Sequence, residues 1–143
     1  MAFIILQNDN RAHFAHMLAS GRWIVACLCA AWCDSCRKYR ADFEQLATRH
    51  PGQHFVWIDI EDQAEIVGDL DVENFPTLLM QRGDVVAFYG PVQPDARVAE
   101  RLLLAQTEKS EAELQAEATG STARAAWQRD CNLRKRLAEA NDG

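Results

Sequence analysis

The sequence predicts an α/β fold: a central mixed sheet with helices on both faces, followed by a helical extension at the C-terminus. Three observations carry that expectation. Trp23-Ile24-Val25-Ala26-Cys27-Leu28-Cys29-Ala30 and His54-Phe55-Val56-Trp57-Ile58 are almost unbroken apolar runs, as in strands covered on both faces. They alternate with segments whose apolar residues recur at helical spacing, the pattern of parallel strand-helix-strand crossovers. Finally, Leu78-Leu79-Met80-Gln81 and Val85-Val86-Ala87-Phe88-Tyr89-Gly90 flank Arg82-Gly83-Asp84, which reads as a hairpin adding an antiparallel edge.

The elements follow in order. Met1-Ala2-Phe3-Ile4-Ile5-Leu6-Gln7 reads as a first strand; it lacks the basic region of a signal peptide and is too short for one. Asn8 or Asp9 is placed to cap a helix carrying Phe14, Met17 and Leu18 on one face and ending at Ser20-Gly21. His13 and His16 on that helix read as solvated rather than as a metal pair. The strand over residues 22–30 comes next, and then a helix with Tyr39, Phe43, Leu46 and Ala47 on its inner face, stopped by His50-Pro51-Gly52. A strand over 53–60, a short helix around Asp62 to Gly68 and the loop Asp71-Val72-Glu73-Asn74-Phe75-Pro76-Thr77 lead into the hairpin. Pro94 and Asp95 open a helix through Val98, Leu102 and Leu103.

From about Gln106 the composition turns rich in Glu, Ala and Lys. The division expected is a domain over 1–106 and a helical extension over 107–143. Gly120-Ser121-Thr122 breaks the extension, and Ser121 or Thr122 is placed to cap a last helix through about Ala140. Ala126, Leu133, Leu137 and Ala140 form one thin apolar stripe, Trp127 and Cys131 another. These are too few for an independent core, so the extension is expected to fold back on the domain, to pair with another copy, or to hold a partner.

A net charge of −6 argues against nucleic acid as the main partner, and Arg134-Lys135-Arg136 among acidic neighbours reads as a solvated face. No run approaches the roughly 18 apolar residues that span a membrane. Five cysteines without a secretion signal fit a reducing, cytoplasmic setting in which sulfur is catalytic rather than structural.

The chemistry concentrates in Ala31-Trp32-Cys33-Asp34-Ser35-Cys36-Arg37, where a buried strand turns into a helix. A thiolate is the form that attacks a disulfide, and the first turn of a helix, with unpaired N–H groups and the positive end of the macrodipole, stabilises a sulfur anion. Cys33 is the candidate nucleophile, and Cys36, one turn on, the sulfur that resolves a mixed disulfide by forming Cys33–Cys36. Asp34 opposes the anion, while Arg37, Lys38 and Arg40 support it. Half of a zinc site, or two inert buried cysteines, are the other readings of such a pair; a zinc ribbon wants a second pair about 12–20 residues on, whereas the next cysteine is Cys131.

Over residues 1 to about 106 the chain resembles thioredoxin. The resemblance rests on Ala31-Trp32-Cys33-Asp34-Ser35-Cys36-Arg37, on Phe75-Pro76-Thr77-Leu78-Leu79, on the Arg82-Gly83-Asp84 turn and on Gly90. It implies a thioredoxin fold, a cis Pro76 facing the cysteine pair, and a substrate groove shaped by Trp32, Phe75 and Pro76, with the backbone of Phe75 pairing to an extended substrate. It also implies protein-disulfide reduction without a bound cofactor or metal, with electrons arriving from a reductase or another dithiol.

The sequence departs from the family in several places. Asp34-Ser35 replaces the usual Gly-Pro between the cysteines, a dipeptide that tunes reduction potential. Ala41 stands where the family has a helix-bending proline. The buried aspartate that serves the second cysteine is replaced by Cys27, its companion lysine by Phe55, and a tryptophan by Cys29. Cys27 and Cys29 lie on one side of a strand, which by the resemblance faces the cysteine pair. They are candidate auxiliary thiols, with Cys27 expected within reach of Cys36; the other reading of Cys27 is a small buried residue filling a core position. The competing reading is a non-catalytic interaction module recruiting a client through its extension; a four-cysteine metal site from Cys27, Cys29, Cys33 and Cys36 is a third.

Overall fold

The structure, a computed structural model, describes residues 3–70, 72 and 74–142. The start of the first expected strand, Met1-Ala2, and two residues of the expected loop, Asp71 and Glu73, lie outside the described residues. The strands are β1 (Phe3–Ile5), β2 (Trp23–Cys29), β3 (His54–Asp59), β4 (Thr77–Arg82) and β5 (Val85–Pro91). The helices are α1 (Arg11–Ala19), α2 (Asp34–Arg49), α3 (Ala64–Val67), α4 (Ala96–Thr107), α5 (Glu111–Ala118), α6 (Thr122–Asp130) and α7 (Leu133–Asp142).

The five strands form one sheet in the order β1-β3-β2-β4-β5. β1 and β2 run parallel to β3, while β4 is antiparallel to both β2 and β5. Gly83 turns the hairpin with φ +59°, a left-handed conformation that glycine adopts without steric cost. Gly90 lies inside β5 opposite Leu78.

Alternation along the strands builds two cores. Val25, Cys27, Cys29, Phe55, Trp57, Leu78 and Met80 face α2, α4 and α5, meeting Tyr39, Phe43, Leu46, Leu103 and Leu114. Ile24, Ala26, Leu28, Val56, Ile58 and Leu79 face the other way, meeting Phe14 and Leu18 of α1, Ile66 of α3 and Leu133 and Leu137 of α7. At the far end of α2, His50 Nε2 lies 2.8 Å from Glu100 of α4, which ties that helix to its neighbour.

The extension folds back on the domain, straddling the sheet edge: α5 joins one core and α7 the other. Between them α6 lies along β5, where Gln128 accepts from the N–H of Val86 and donates to its carbonyl, both at 2.7 Å. The expected single last helix is two, because Cys131-Asn132 interrupts it. Asn132 Oδ1 accepts from the N–H groups of Arg134 and Lys135 at 3.0 and 3.3 Å, so its side chain caps the first turn of α7. Buried Gln81 of β4 fixes that cap, donating to Asn132 Oδ1 and accepting from Leu133 N–H, each at 2.8 Å.

Two further expectations are corrected. A 3-10 turn over Asn8–Asn10 precedes α1, because the Asn10 side chain accepts from Gln7 N–H at 2.8 Å and donates to Ile5 O at 2.9 Å. The basic run is not wholly a solvated face: Arg136, only 16% exposed, binds Asp69 at 2.5 Å and Ile66 O at 2.9 Å, pinning α7 to α3. Among the described residues no helix is long and apolar enough to cross a membrane.

Candidate active site

β2 delivers the chain to the site and α2 leads it away. Cys33 is the N-cap of α2, with an extended backbone at φ −87° and ψ 118°. Its N–H donates to Ala30 O at 3.0 Å and its carbonyl accepts from Arg37 N–H at 3.1 Å, so a tight turn passes directly into the helix. The Cys33 side chain is half-buried and carries a free thiol. A sulfur there lies at the positive end of α2, next to the unpaired amides of its first turn.

The opposing local charges settle each other. Asp34 is ion-paired with Arg37, and Arg37 also donates to Ala31 O at 2.7 Å. The carboxylate nearest Cys33 therefore has its own cation, and the motif's loop is fastened to the helix.

Trp32 is 64% exposed and meets Phe75 edge to face, with ring centroids 5.5 Å apart at 85°. The Phe75–Pro76 peptide bond is cis. Pro76 O accepts from Val92 N–H at 3.0 Å, and Thr77 Oγ1 donates to Asn74 O at 2.7 Å. The loop before β4 is thus held beside the start of α2, bringing Trp32, Cys33 and Phe75 to one rim.

Beneath that rim the sulfurs are arranged differently from expectation. Cys36, third residue of α2 and 1% exposed, is disulfide-bonded to Cys29, with Cα atoms 5.7 Å apart. The sequence pairs Cys36 with Cys33; in the structure Cys33 stays a thiol. The cause is geometric. Cys33, at the N-cap, lies at the rim, whereas Cys36 is one turn on and faces the sheet where β2 ends. Cys29 is the last residue of β2, anchored opposite Asp59 of β3, with its carbonyl accepting from Ile60 N–H at 2.9 Å.

Cys27, the sulfur expected within reach of Cys36, is one step further in. Two residues along a strand is about 6.6 Å, and Cys27 Sγ lies 3.6 Å from Cys29 Sγ with no exposure. Burial pushes the Cys27 thiol well above the ordinary thiol range, so it stays protonated at neutral pH. Beside the bonded pair a cleft of about 210 Å³ opens, bordered by Cys36, Arg37, Arg40, Trp57 and Asp59. His13 and His16 are both exposed on α1, remote in the chain from this cluster.

The signal for the Cys29–Cys36 contact was present in the alternation of β2, which puts Cys27 and Cys29 on the α2 side. Missing was the depth at which α2 sits, which decides between the two.

The Thioredoxin family model matches residues 4–102. Rice thioredoxin H5 (Oryza sativa subsp. japonica) is 30% identical over 64 residues, covering 45% of this chain and 47% of that protein. Thioredoxin-1 of Caenorhabditis elegans is 30% identical over 70 residues, covering 48% of this chain and 61% of its own length. The chain thus spans about half the length of these curated relatives. Among solved structures, a poplar thioredoxin h superposes with a TM-score of 0.67 at 14% identity, covering 77% of this chain and all of that one. Thioredoxin O2 from Arabidopsis thaliana, in its oxidized state, gives 0.57 at 25% identity over 76% and 96% of the two chains. By that family match, and by the mixed sheet with its cysteine pair at the start of α2, the chain belongs to the thioredoxin family.

Proposed function

We propose that this protein is a thiol–disulfide oxidoreductase that reduces protein disulfides. The observation carrying this reading is the free, half-buried sulfur of Cys33 at the N-cap of α2, beside the Trp32–Phe75 pair. A Cys33 thiolate attacks one sulfur of a substrate disulfide; the other substrate sulfur leaves with the bonding electrons. Cys36 then attacks Cys33 Sγ, releasing the second substrate thiol and closing Cys33–Cys36. A reductase or small dithiol returns both to thiols. Trp32, Phe75 and Pro76 shape the groove, with the Phe75 backbone pairing to an extended substrate segment.

In this cycle Cys36 must be a thiol when the mixed disulfide forms, so the Cys29–Cys36 bond belongs to a different stage. Residues 1–106 carry the chemistry and residues 107–143 brace the β5 edge. The composition favours work in a reducing, cytoplasmic compartment.

One observation favours the non-catalytic module: with Cys36 bonded to Cys29, Cys33 lacks its resolving partner. Insulin-disulfide reduction separates the two. Turnover in reduced wild type that disappears in Cys33→Ser supports the oxidoreductase. Turnover in the wild type no faster than the uncatalysed background supports the module.

A further inference from the structure

The cycle above has no role for Cys29, yet Cys29 is the residue bonded to Cys36. We infer that Cys29 is a third redox sulfur, which takes Cys36 over from Cys33 and stores the oxidising equivalent in a buried disulfide. The inference rests on the Cys33–Cys36 reading and deepens it.

The step is an intramolecular exchange. Cys29, as thiolate, attacks Cys36 Sγ of the Cys33–Cys36 disulfide formed by turnover. The Cys29–Cys36 bond forms as the Cys33–Cys36 bond breaks, and Cys33 leaves with the electron pair. The proton that Cys29 gives up is balanced by the one Cys33 is free to take. Two sulfurs are oxidised before and two after, so no outside oxidant or reductant enters.

The placement of the three sulfurs gives the exchange its direction. Cys29 is 1% exposed, and burial there disfavours a thiolate while an uncharged disulfide loses nothing by it. Cys33, half-buried at the N-cap of α2, still meets solvent, so a sulfur released there is not sealed in the core. Ending with the neutral bond inside and the ionisable sulfur outside is the favoured distribution. Geometry separates the two strand sulfurs: Cys29 is the one in bonding contact with Cys36, while Cys27 lies 3.6 Å from Cys29, one step deeper along β2.

The consequence is a change in behaviour. The oxidised protein keeps a nucleophile at its rim: Cys33 can attack a further substrate disulfide, expelling one substrate thiol. With Cys36 occupied, that mixed disulfide is not resolved. The protein then holds its substrate covalently until the buried bond is reduced.

The test maps the bond in the full-length chain. Reduced protein receives one equivalent of diamide, free thiols are blocked with N-ethylmaleimide, and the chain is cut after Trp32 and before Asp34. Tandem mass spectrometry then locates which of Cys27 and Cys29, on their shared peptide, is alkylated. The result expected is the loss of two thiols, a Cys29–Cys36 link and an alkylated Cys33. In oxidised Cys29→Ala, the bond should remain at Cys33–Cys36 and labelling of Cys33 should fall at least tenfold. A Cys33–Cys36 or Cys27–Cys36 link in oxidised wild type overturns the inference, and this measurement needs no variant that folds. If insulin turnover remains Cys33-dependent while the link maps to Cys33–Cys36, this inference fails alone. If turnover never depends on Cys33, the reading of function fails, and the exchange with it.

Discussion

The side-chain amide of Gln128 closes a two-bond ring with the backbone of Val86, each bond 2.7 Å long. Gln128 thereby occupies, on edge strand β5, the position that the backbone of a further strand would take. An unpaired edge is a template for pairing with another chain, and the extension covers it.

Gln128→Ala is expected to destabilise the fold by about 1–2 kcal/mol, the scale for stranding part-buried backbone groups, and to promote self-association. Denaturant unfolding and sedimentation at several concentrations check both effects. A variant as stable and as monodisperse as wild type would show that the edge needs no cover.

The extension should also loosen from within. Gln81 and Asn132 are 0% and 2% exposed and share a 2.8 Å hydrogen bond. Gln81→Leu leaves Leu133 N–H and the Asn132 amide short of partners, at a cost of about 2–3 kcal/mol. Hydrogen exchange should quicken first in α7.

At the rim, Trp32→Ala should lower kcat/KM for a protein disulfide about fivefold, corresponding to roughly 1 kcal/mol of lost aromatic contact. Because Trp32 is 64% exposed, the melting temperature should stay within a degree or two of wild type, about the scale of a surface substitution. A large fall in melting temperature would mean that the ring is structural instead.

High pH should weaken the fold. Burial pushes the Cys131 thiol up to about 11; it also raises the Cys27 thiol and, together with the Cys27 charge, the Tyr39 hydroxyl. All three are neutral when protonated, and all three titrate earlier once unfolded. The stability they supply is complete below the ordinary thiol range near about 8.5. It declines as pH rises toward 11, the folded value for Cys131. Unfolding midpoints between pH 8 and 11 should fall for wild type and fall less steeply for Cys131→Ala.

Much of the fold was legible because it is local. The apolar runs gave β2 and β3, Arg82-Gly83-Asp84 gave the hairpin turn, and the spacing of Tyr39, Phe43, Leu46 and Ala47 gave α2. What escaped depends on contacts far apart in the chain. Asn132 breaks the last helix because its cap is met by Gln81, 51 residues away. Gln128 meets its partner Val86 across 42 residues of chain. The same holds in the site: spacing located Cys33 and Cys36, but which sulfur lies under Cys36 depends on how α2 seats against the end of β2.

The central claim is that Cys33 is the attacking sulfur, and trapping tests it most directly. Reduced Cys36→Ser incubated with insulin should accumulate a covalent adduct through Cys33, seen in the intact mass and dissolved by dithiothreitol. An adduct that never forms, or that persists when Cys33 is also replaced by serine, would contradict the account.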